Sequence, residues 1–179
     1  MAKFAFQTEL GFTALAMHGE TVLALCFGHS TERAATQALK SRIGDFAVKE
    51  FVFEQQLGGE ELVERLKCFA RGKICDFDDI SVDLSGRTQF QRKVLQACRA
   101  IPWGSTRTYG ELAQDAGYPG AARAVGSVMA KNRIPLIVPC HRVVPAAGGL
   151  GGFSAPNGVS LKRRLLALES AFDLLAPAI

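Results

Sequence analysis

Residues 108–131 read TYGELAQDAGYPGAARAVGSVMAK, and the division of the chain into folded parts follows from this stretch. It opens on Thr108 with Glu111 three positions later, the T-x-x-E box in which hydroxyl and carboxylate satisfy exposed N–H groups at a helix start. That helix ends at Gly117, Tyr118-Pro119-Gly120 make a turn, and a second helix is expected over residues 121–131. Two short helices across a tight Gly/Pro turn form a helix-turn-helix pattern. Ala121, Ala122 and Gly126 let the second backbone approach another surface closely, while Val125, Val128 and Met129 hold the inner side. Arg123 falls in the first turn, where the helix dipole disfavours a cation. A helix entering a DNA groove explains both features; the alternative is an Ala-rich helix packed tightly inside the domain.

Working outward, charge separates two regions, 1–84 and 85–179. The first carries 9 Lys+Arg and 13 Asp+Glu, a net of −4; the second carries 12 and 4, a net of +8. A basic half joined to an acidic one suits a polyanion partner for the basic half alone, or is solvated surface charge. The 179 residues are 48% hydrophobic and 21% charged, enough to fill a core and unlike a disordered chain. No apolar run approaches the roughly 20 residues of a membrane span, and MAKFAFQTELG lacks the pattern of a secretory signal. The expectation is an unsecreted protein without a membrane partner. The 5 cysteines are odd in number and show no C-x-x-C spacing, which argues against a disulfide framework or a zinc ribbon and for a reducing compartment. Cys26 and His29 could supply half of a metal site, but no second pair follows at ligand spacing, so no metal is expected.

The acidic half reads as a small mixed sheet with helices. Strands are expected at 4–9, 11–17 and 21–27, a helix from Ser30 to about Arg42, another strand at 46–53 and a helix at 60–71. Nothing there combines a nucleophile, a base and a polar pocket, so its role is scaffold. The acidic run from Asp76 to Asp83 with Ser85-Gly86 is the expected linker, and a helix over 88–100 opens the second half.

The chemistry-bearing stretch is 132–144, NRIPLIVPCHRVV. An apolar strand bracketed by Pro135 and Pro139 is expected to deliver Cys140 and His141 at its end, with the prolines limiting backbone freedom. A thiol is a strong nucleophile only as thiolate, and His141 and Arg142 bring an imidazole and a cation within two residues. The last helix, 160–172, has an apolar stripe of Leu161, Leu165, Leu168 and Phe172, with Lys162, Arg163 and Arg164 expected to face outward. Glu169 lies at the margin of the stripe, where it either orients His141 or pairs half-exposed with a neighbouring Lys or Arg. The Gly-rich run 147–158 lacks the G-K-[ST] ending of a phosphate loop and suits a mobile wall over a pocket.

The PCHRV motif at 139–143, Asn132 eight positions before the cysteine, and the TYGELA and AARAVGSVMAKN helices resemble the O6-alkylguanine-DNA alkyltransferases, also called methylated-DNA–protein-cysteine methyltransferases. The likeness covers roughly 86–171; the first half resembles the family only in length and coarse pattern. The resemblance implies an α+β fold, with a ribonuclease-H-like sheet domain followed by a mainly helical domain containing a winged helix-turn-helix. It implies direct-reversal DNA repair: Cys140 would accept the alkyl group from O6-alkylguanine in double-stranded DNA, irreversibly and once, after nucleotide flipping. His141 would act as base through a water, oriented by Glu169; Tyr109 would donate to guanine N3; Asn132 would brace the site. The backbones of Cys140 and Val143, with Ser154, would read the base edge. Arg123 would fill the gap left by the flipped nucleotide, and the helix of Ala121, Ala122 and Gly126 would lie in the minor groove.

No cofactor is implied, a monomer is expected, and the location follows the DNA: cytoplasm or nucleoid in a bacterium, nucleus in a eukaryote. O4-alkylthymine stays open as a second substrate. Phe153 stands where some members have Tyr, which removes a hydroxyl contact but keeps the ring, and the occasional zinc ligands of the family are missing. A DNA-binding sensor of alkyl lesions without chemistry is the alternative, although such relatives lack the acceptor cysteine that Cys140 supplies. A Cys-His hydrolase would need an oxyanion hole that no residue nominates.

Overall fold

The computed structural model describes residues 1–43 and 59–169. The chain divides into two compact units, Met1–Asp83 and Leu84–Ile179, and the fold is α+β. The first unit opens with an antiparallel meander of β1 (Ala2–Thr8), β2 (Gly11–His18) and β3 (Thr21–His29). Strand β4 (Ser81–Val82) adds in parallel to β3, which makes the sheet mixed. Alternation along a strand sorts large and small residues to opposite faces. Phe4 pairs with Leu15 and Leu15 with Leu25 on one face, while Ala14 meets Cys26 and Ala16 meets Ala24 on the other.

The small face receives α1 (Glu32–Ile43), whose Ala35, Leu39 and Ile43 recur every turn and pack against Ala14, Ala16, Ala24 and Cys26. Its first turn is capped by Thr31, which accepts from Ala34 N at 3.2 Å, one residue beyond the expected Ser30. Helix α2 (Gly59–Ala70) comes to the bulky face and buries Leu62, Leu66 and Phe69. It begins with a residue that has no side chain, because a Cβ at position 59 would lie 2.1 Å from the Phe4 ring. The strand expected at 46–53 lies outside the described residues.

The second unit contains α3 (Gln89–Arg99), α4 (Tyr109–Asp115), α5 (Ala122–Ala130) and α6 (Gly158–Leu168). Helix α3 starts with a capping box of Thr88 and Gln91 and buries Val94, Leu95 and Cys98. The Thr108–Glu111 box forms as the spacing predicts: Thr108 N donates to Glu111 Oε2 at 2.7 Å, and Glu111 N to Thr108 Oγ1 at 3.1 Å. Gly117 then turns the chain at φ 80°, and α5 buries Val125, Val128 and Met129. Short strands β5 (Arg107–Thr108) and β6 (Val143–Val144) pair in parallel.

Two local expectations are corrected. Residues 134–138 form a tight turn rather than a strand, with Leu136 at φ 73° and Val138 N donating to Ile134 O at 2.9 Å. Prolines at 135 and 139 offer no N–H to a ladder, so the apolar run turns on itself instead. Lys162 does not face outward: it is fully buried in α6 with Leu161, Leu165 and Leu166, whereas Arg163 and Arg164 are exposed. Phe172 lies outside the described residues. Among those described, no helix is long and apolar enough to cross a membrane, and no group of His, Cys, Asp or Glu could hold a metal ion.

The small face of the sheet sets the height of α1. Ala24→Leu adds bulk where α1 sits on a bed of Ala and Cys, and should destabilise the first unit by about 1–3 kcal/mol. Chemical denaturation read by far-UV circular dichroism measures this, and an unchanged midpoint would show that α1 does not pack closely there.

Candidate active site

Cys140, His141 and Arg142 form a 3-10 turn and are all buried, at 8%, 0% and 7% exposure. Cys140 N donates to Val138 O at 2.8 Å and Arg142 N to Pro139 O at 2.9 Å, so the turn is fixed at both ends. With about three residues per turn, successive side chains leave the backbone in three directions. The thiol therefore leaves in its own direction, to the cavity, while the imidazole and the guanidinium both reach Glu169; a strand would have placed the first and third side chains together. Asn132 holds the preceding bend from inside: its Nδ2 donates to Val138 O at 2.8 Å, and its Oδ1 accepts from Ile134 N at 3.0 Å.

The thiol opens on a cavity of about 290 Å³. Tyr109 of α4, Gly126, Met129 and Ala130 at the end of α5, and Gly152, Phe153 and Ser154 of the Gly-rich run line it. Burial raises the Tyr109 phenol and the nearby Cys140 adds to the shift, so the hydroxyl keeps its proton at neutral pH. A wider apolar groove of about 580 Å³ includes Ala122, exposed Arg123 and the residues 145–147, and shares Tyr109 and Gly126 with the cavity. Ala121, the residue before α5, lines neither.

The imidazole enters the protein and meets Glu169, with His141 Nε2 2.9 Å from Oε1. A buried carboxylate must be compensated, and Arg142 completes the compensation. Its Nε donates to Oε2 and its Nη2 to Oε1, each at 2.9 Å, the fork geometry that suits a carboxylate. The remaining Nη1 donates to Ile101 O at 2.6 Å, and the guanidinium lies 6.0 Å from the Trp103 ring centroid. Glu169 is thus 1% exposed, not half-exposed, and it engages both His141 and an arginine, Arg142.

Burial pushes the Glu169 carboxyl up, but the hydrogen bonds and charge of His141 and Arg142 outweigh it and hold it at about 2. His141 is held below its ordinary value, chiefly by burial; Arg142 and Lys162 add to the fall and Glu169 opposes it. The imidazole is therefore neutral near pH 7. An ionised carboxylate only accepts hydrogen bonds, so Nε2 carries the hydrogen and Nδ1 is the basic nitrogen.

Two participants escaped the sequence reading. Arg142 suggested only a nearby cation, and its clamp on Glu169 emerges from folding residues 142 and 169 together. Lys162 Nζ donates to Val143 O at 2.6 Å inside the protein. Burial lowers it to about 8, against the upward pull of the Cys140 and Cys98 thiols. The available signal was spacing: Lys162 and Glu169 are seven apart on one helix and share a face. Val143, whose backbone is expected to read a base edge, accepts this bond at its carbonyl and does not line the cavity.

Residues 89–171 match the family model described as 6-O-methylguanine DNA methyltransferase, DNA binding domain. A methylated-DNA–protein-cysteine methyltransferase of Methanopyrus kandleri is 50% identical over 109 residues, covering 59% of this chain and 76% of that protein. The chain belongs to the methylated-DNA–protein-cysteine methyltransferase family. The methyltransferase of Mycolicibacterium paratuberculosis is 49% identical over 107 residues, 60% of this chain, and the match spans 62% of that relative's length. The crystal structure of Mycobacterium tuberculosis OGT in complex with DNA superposes with a TM-score of 0.76 at 34% identity, covering 96% of this chain and 94% of that one. Methyltransferase likeness in sequence is thus concentrated in the second unit, while likeness of fold extends over both.

The Glu169–His141 pair makes stability depend on pH with a definite sign. Both groups titrate lower in the folded protein than their ordinary 4.5 and 6.5, so the unfolded chain binds more protons below those values. Stability should fall as pH drops below about 6.5, and more steeply from about 4.5 toward 2. Glu169→Gln should flatten the lower part of the slope in urea unfolding at a series of pH values. A wild-type profile flat from pH 6.5 to 3 would contradict the buried pairing.

Proposed function

We propose that this protein repairs O6-alkylguanine in double-stranded DNA by moving the alkyl group onto Cys140. The observation that carries the reading is a nucleophile at the wall of a cavity, backed by a neutral imidazole whose far nitrogen is tied to a buried carboxylate. Nδ1 of His141 takes the thiol proton through a bridging water, while Nε2–H stays on Glu169. The Cys140 sulfur attacks the alkyl carbon, the carbon–O6 bond breaks, and its electron pair goes to the base. Tyr109, protonated and at the cavity wall, donates to N3 as charge develops there. Sulfur and alkyl carbon form a thioether, which no nearby group reverses; Cys98 is buried and its thiol pushed well above the ordinary range by that burial. Each molecule acts once, and the reaction draws on no cofactor.

An O6-alkyl group is stacked inside the duplex, so the nucleotide must swing out before a protein sulfur can reach it. That costs a few kcal/mol, less for a poorly paired base. Helices α4 and α5 with the β5–β6 pair act as a winged helix-turn-helix, and the first unit as a ribonuclease-H-like scaffold. The basic second unit holds phosphates without regard to sequence. Ala121, Ala122 and Gly126 let α5 approach the minor groove, where Arg123 fills the vacated position. Ser154 and the Cys140 backbone meet the base edge, and O4-alkylthymine is a second candidate for the same cavity. The protein acts as a monomer in the compartment that holds the DNA.

Incubation with duplex DNA containing O6-methylguanine, followed by intact mass and peptide mapping, tests this reading. The expected result is one added methyl per molecule, located on Cys140 and lost in Cys140→Ser. Repeated turnover, or methylation of Cys98 in its place, would overturn it.

A further inference from the structure

In the first unit, the end of α2 and the segment that follows it carry two half-buried thiols, Cys68 and Cys75. The helix closes with a Schellman arrangement: Gly72 N donates to Phe69 O at 2.9 Å and Lys73 N to Cys68 O at 3.1 Å. Gly72 takes the required left-handed conformation at φ 77°, and the chain reverses. The returning segment runs back along the helix and is fastened to it at two points. Phe77 packs on Phe69 with ring centroids 6.1 Å apart and lies 5.4 Å from the Arg65 guanidinium. Arg65 also donates to the Asp76 carbonyl and to both carboxylate oxygens of Asp79, at 2.8 and 2.7 Å.

Arg65, Cys68 and Phe69 lie at i, i+3 and i+4, one stripe of α2. Asp76 and Phe77 face that stripe; Cys75 is one residue upstream of Asp76 and Cys68 is one turn beyond Arg65, so the returning chain carries both cysteines at the same end of α2. The Cys75 thiol responds accordingly: burial raises it, and the nearness of Cys68 raises it further, against the pull of Arg65 and Lys73. Both cysteines are free thiols and neither is fully buried, and Lys73 and Ile74 between them are exposed, Ile74 at 79%.

We propose that Cys68 and Cys75 are a dithiol that closes to an intramolecular disulfide, a modification site separate from the alkyl acceptor. With a low-molecular-weight disulfide such as oxidised glutathione, one cysteine loses its proton to solvent and attacks a sulfur of the reagent. The reagent's S–S bond breaks and one glutathione thiolate leaves. The second cysteine, also deprotonated, then attacks the protein-bound sulfur and expels the other glutathione. Two protein thiols are oxidised and one small disulfide is reduced to two thiols. Because the Cys75 thiol is raised, closure quickens as pH increases above neutral. The product ties the last turn of α2 to the strap that precedes β4.

Full-length protein is treated with excess oxidised glutathione at pH 8, free thiols are then blocked with excess N-ethylmaleimide near neutral pH, and peptides are mapped by mass without reduction. The expected result is a linked pair of peptides holding Cys68 and Cys75, at a mass two hydrogens below the dithiol form. Cys68→Ser and Cys75→Ser should each trap a glutathione adduct on the remaining cysteine, about tenfold more abundant than in wild type, since the resolving thiol is gone. Stable adducts on both cysteines of the wild-type protein, or two thiols that stay unmodified, would overturn the proposal. Cys140 is mapped separately, so its own reaction with the reagent leaves the answer unaffected.

Discussion

A single buried carboxylate organises the second unit. Glu169 receives three side-chain hydrogen bonds, one from His141 and two from Arg142. Its last intrahelical link, Glu169 N to Leu165 O at 3.1 Å, fixes it at the end of α6. An ion in that position would be costly without these donors. With them, it determines which way the 3-10 turn faces, which imidazole nitrogen carries the proton, and where the guanidinium lies. The thiol points to the cavity because its two neighbours on the turn are held elsewhere.

The same arrangement links stability to chemistry. Lys162 and Arg142 bring two cations into the interior beside His141, and both oppose protonation of the imidazole. In the proposed reaction a neutral imidazole is what a base needs beforehand, and the ionised Glu169 would stabilise the imidazolium formed during it. Loss of Glu169 or of Arg142 strips the other buried charge of its ion-pair partner, so the pair behaves as a unit rather than as separable contributions. The neighbouring 3-10 turn and the Asn132 brace keep the sulfur at a fixed place on the cavity wall.

Much of this was legible from spacing. The T-x-x-E box at Thr108 fixed the start of α4, and the Gly/Pro turn its relation to α5, because caps and turns are local and depend on few residues. The three-strand meander followed from period-two alternation with glycine turns between. The 134–138 segment was not legible as a turn: an apolar run bounded by prolines reads as a strand, and the side-chain bonds of Asn132 that close the bend appear only in three dimensions. Lys162 misled for a related reason. A lysine beside an apolar stripe is normally solvated, and only the Val143 carbonyl, nineteen residues away in sequence, makes its burial tolerable. The partnership of Glu169 could be posed as a question but not answered, since it depends on Arg142 arriving from another element.

The central claim is that His141 rests as a neutral imidazole with its hydrogen on Nε2, directed to Glu169. Nitrogen-15 NMR of the imidazole at pH 7 reads both protonation and tautomer at once. The account predicts a protonated Nε2 and an unprotonated, pyridine-like Nδ1; a doubly protonated ring, or a hydrogen on Nδ1 alone, would contradict it.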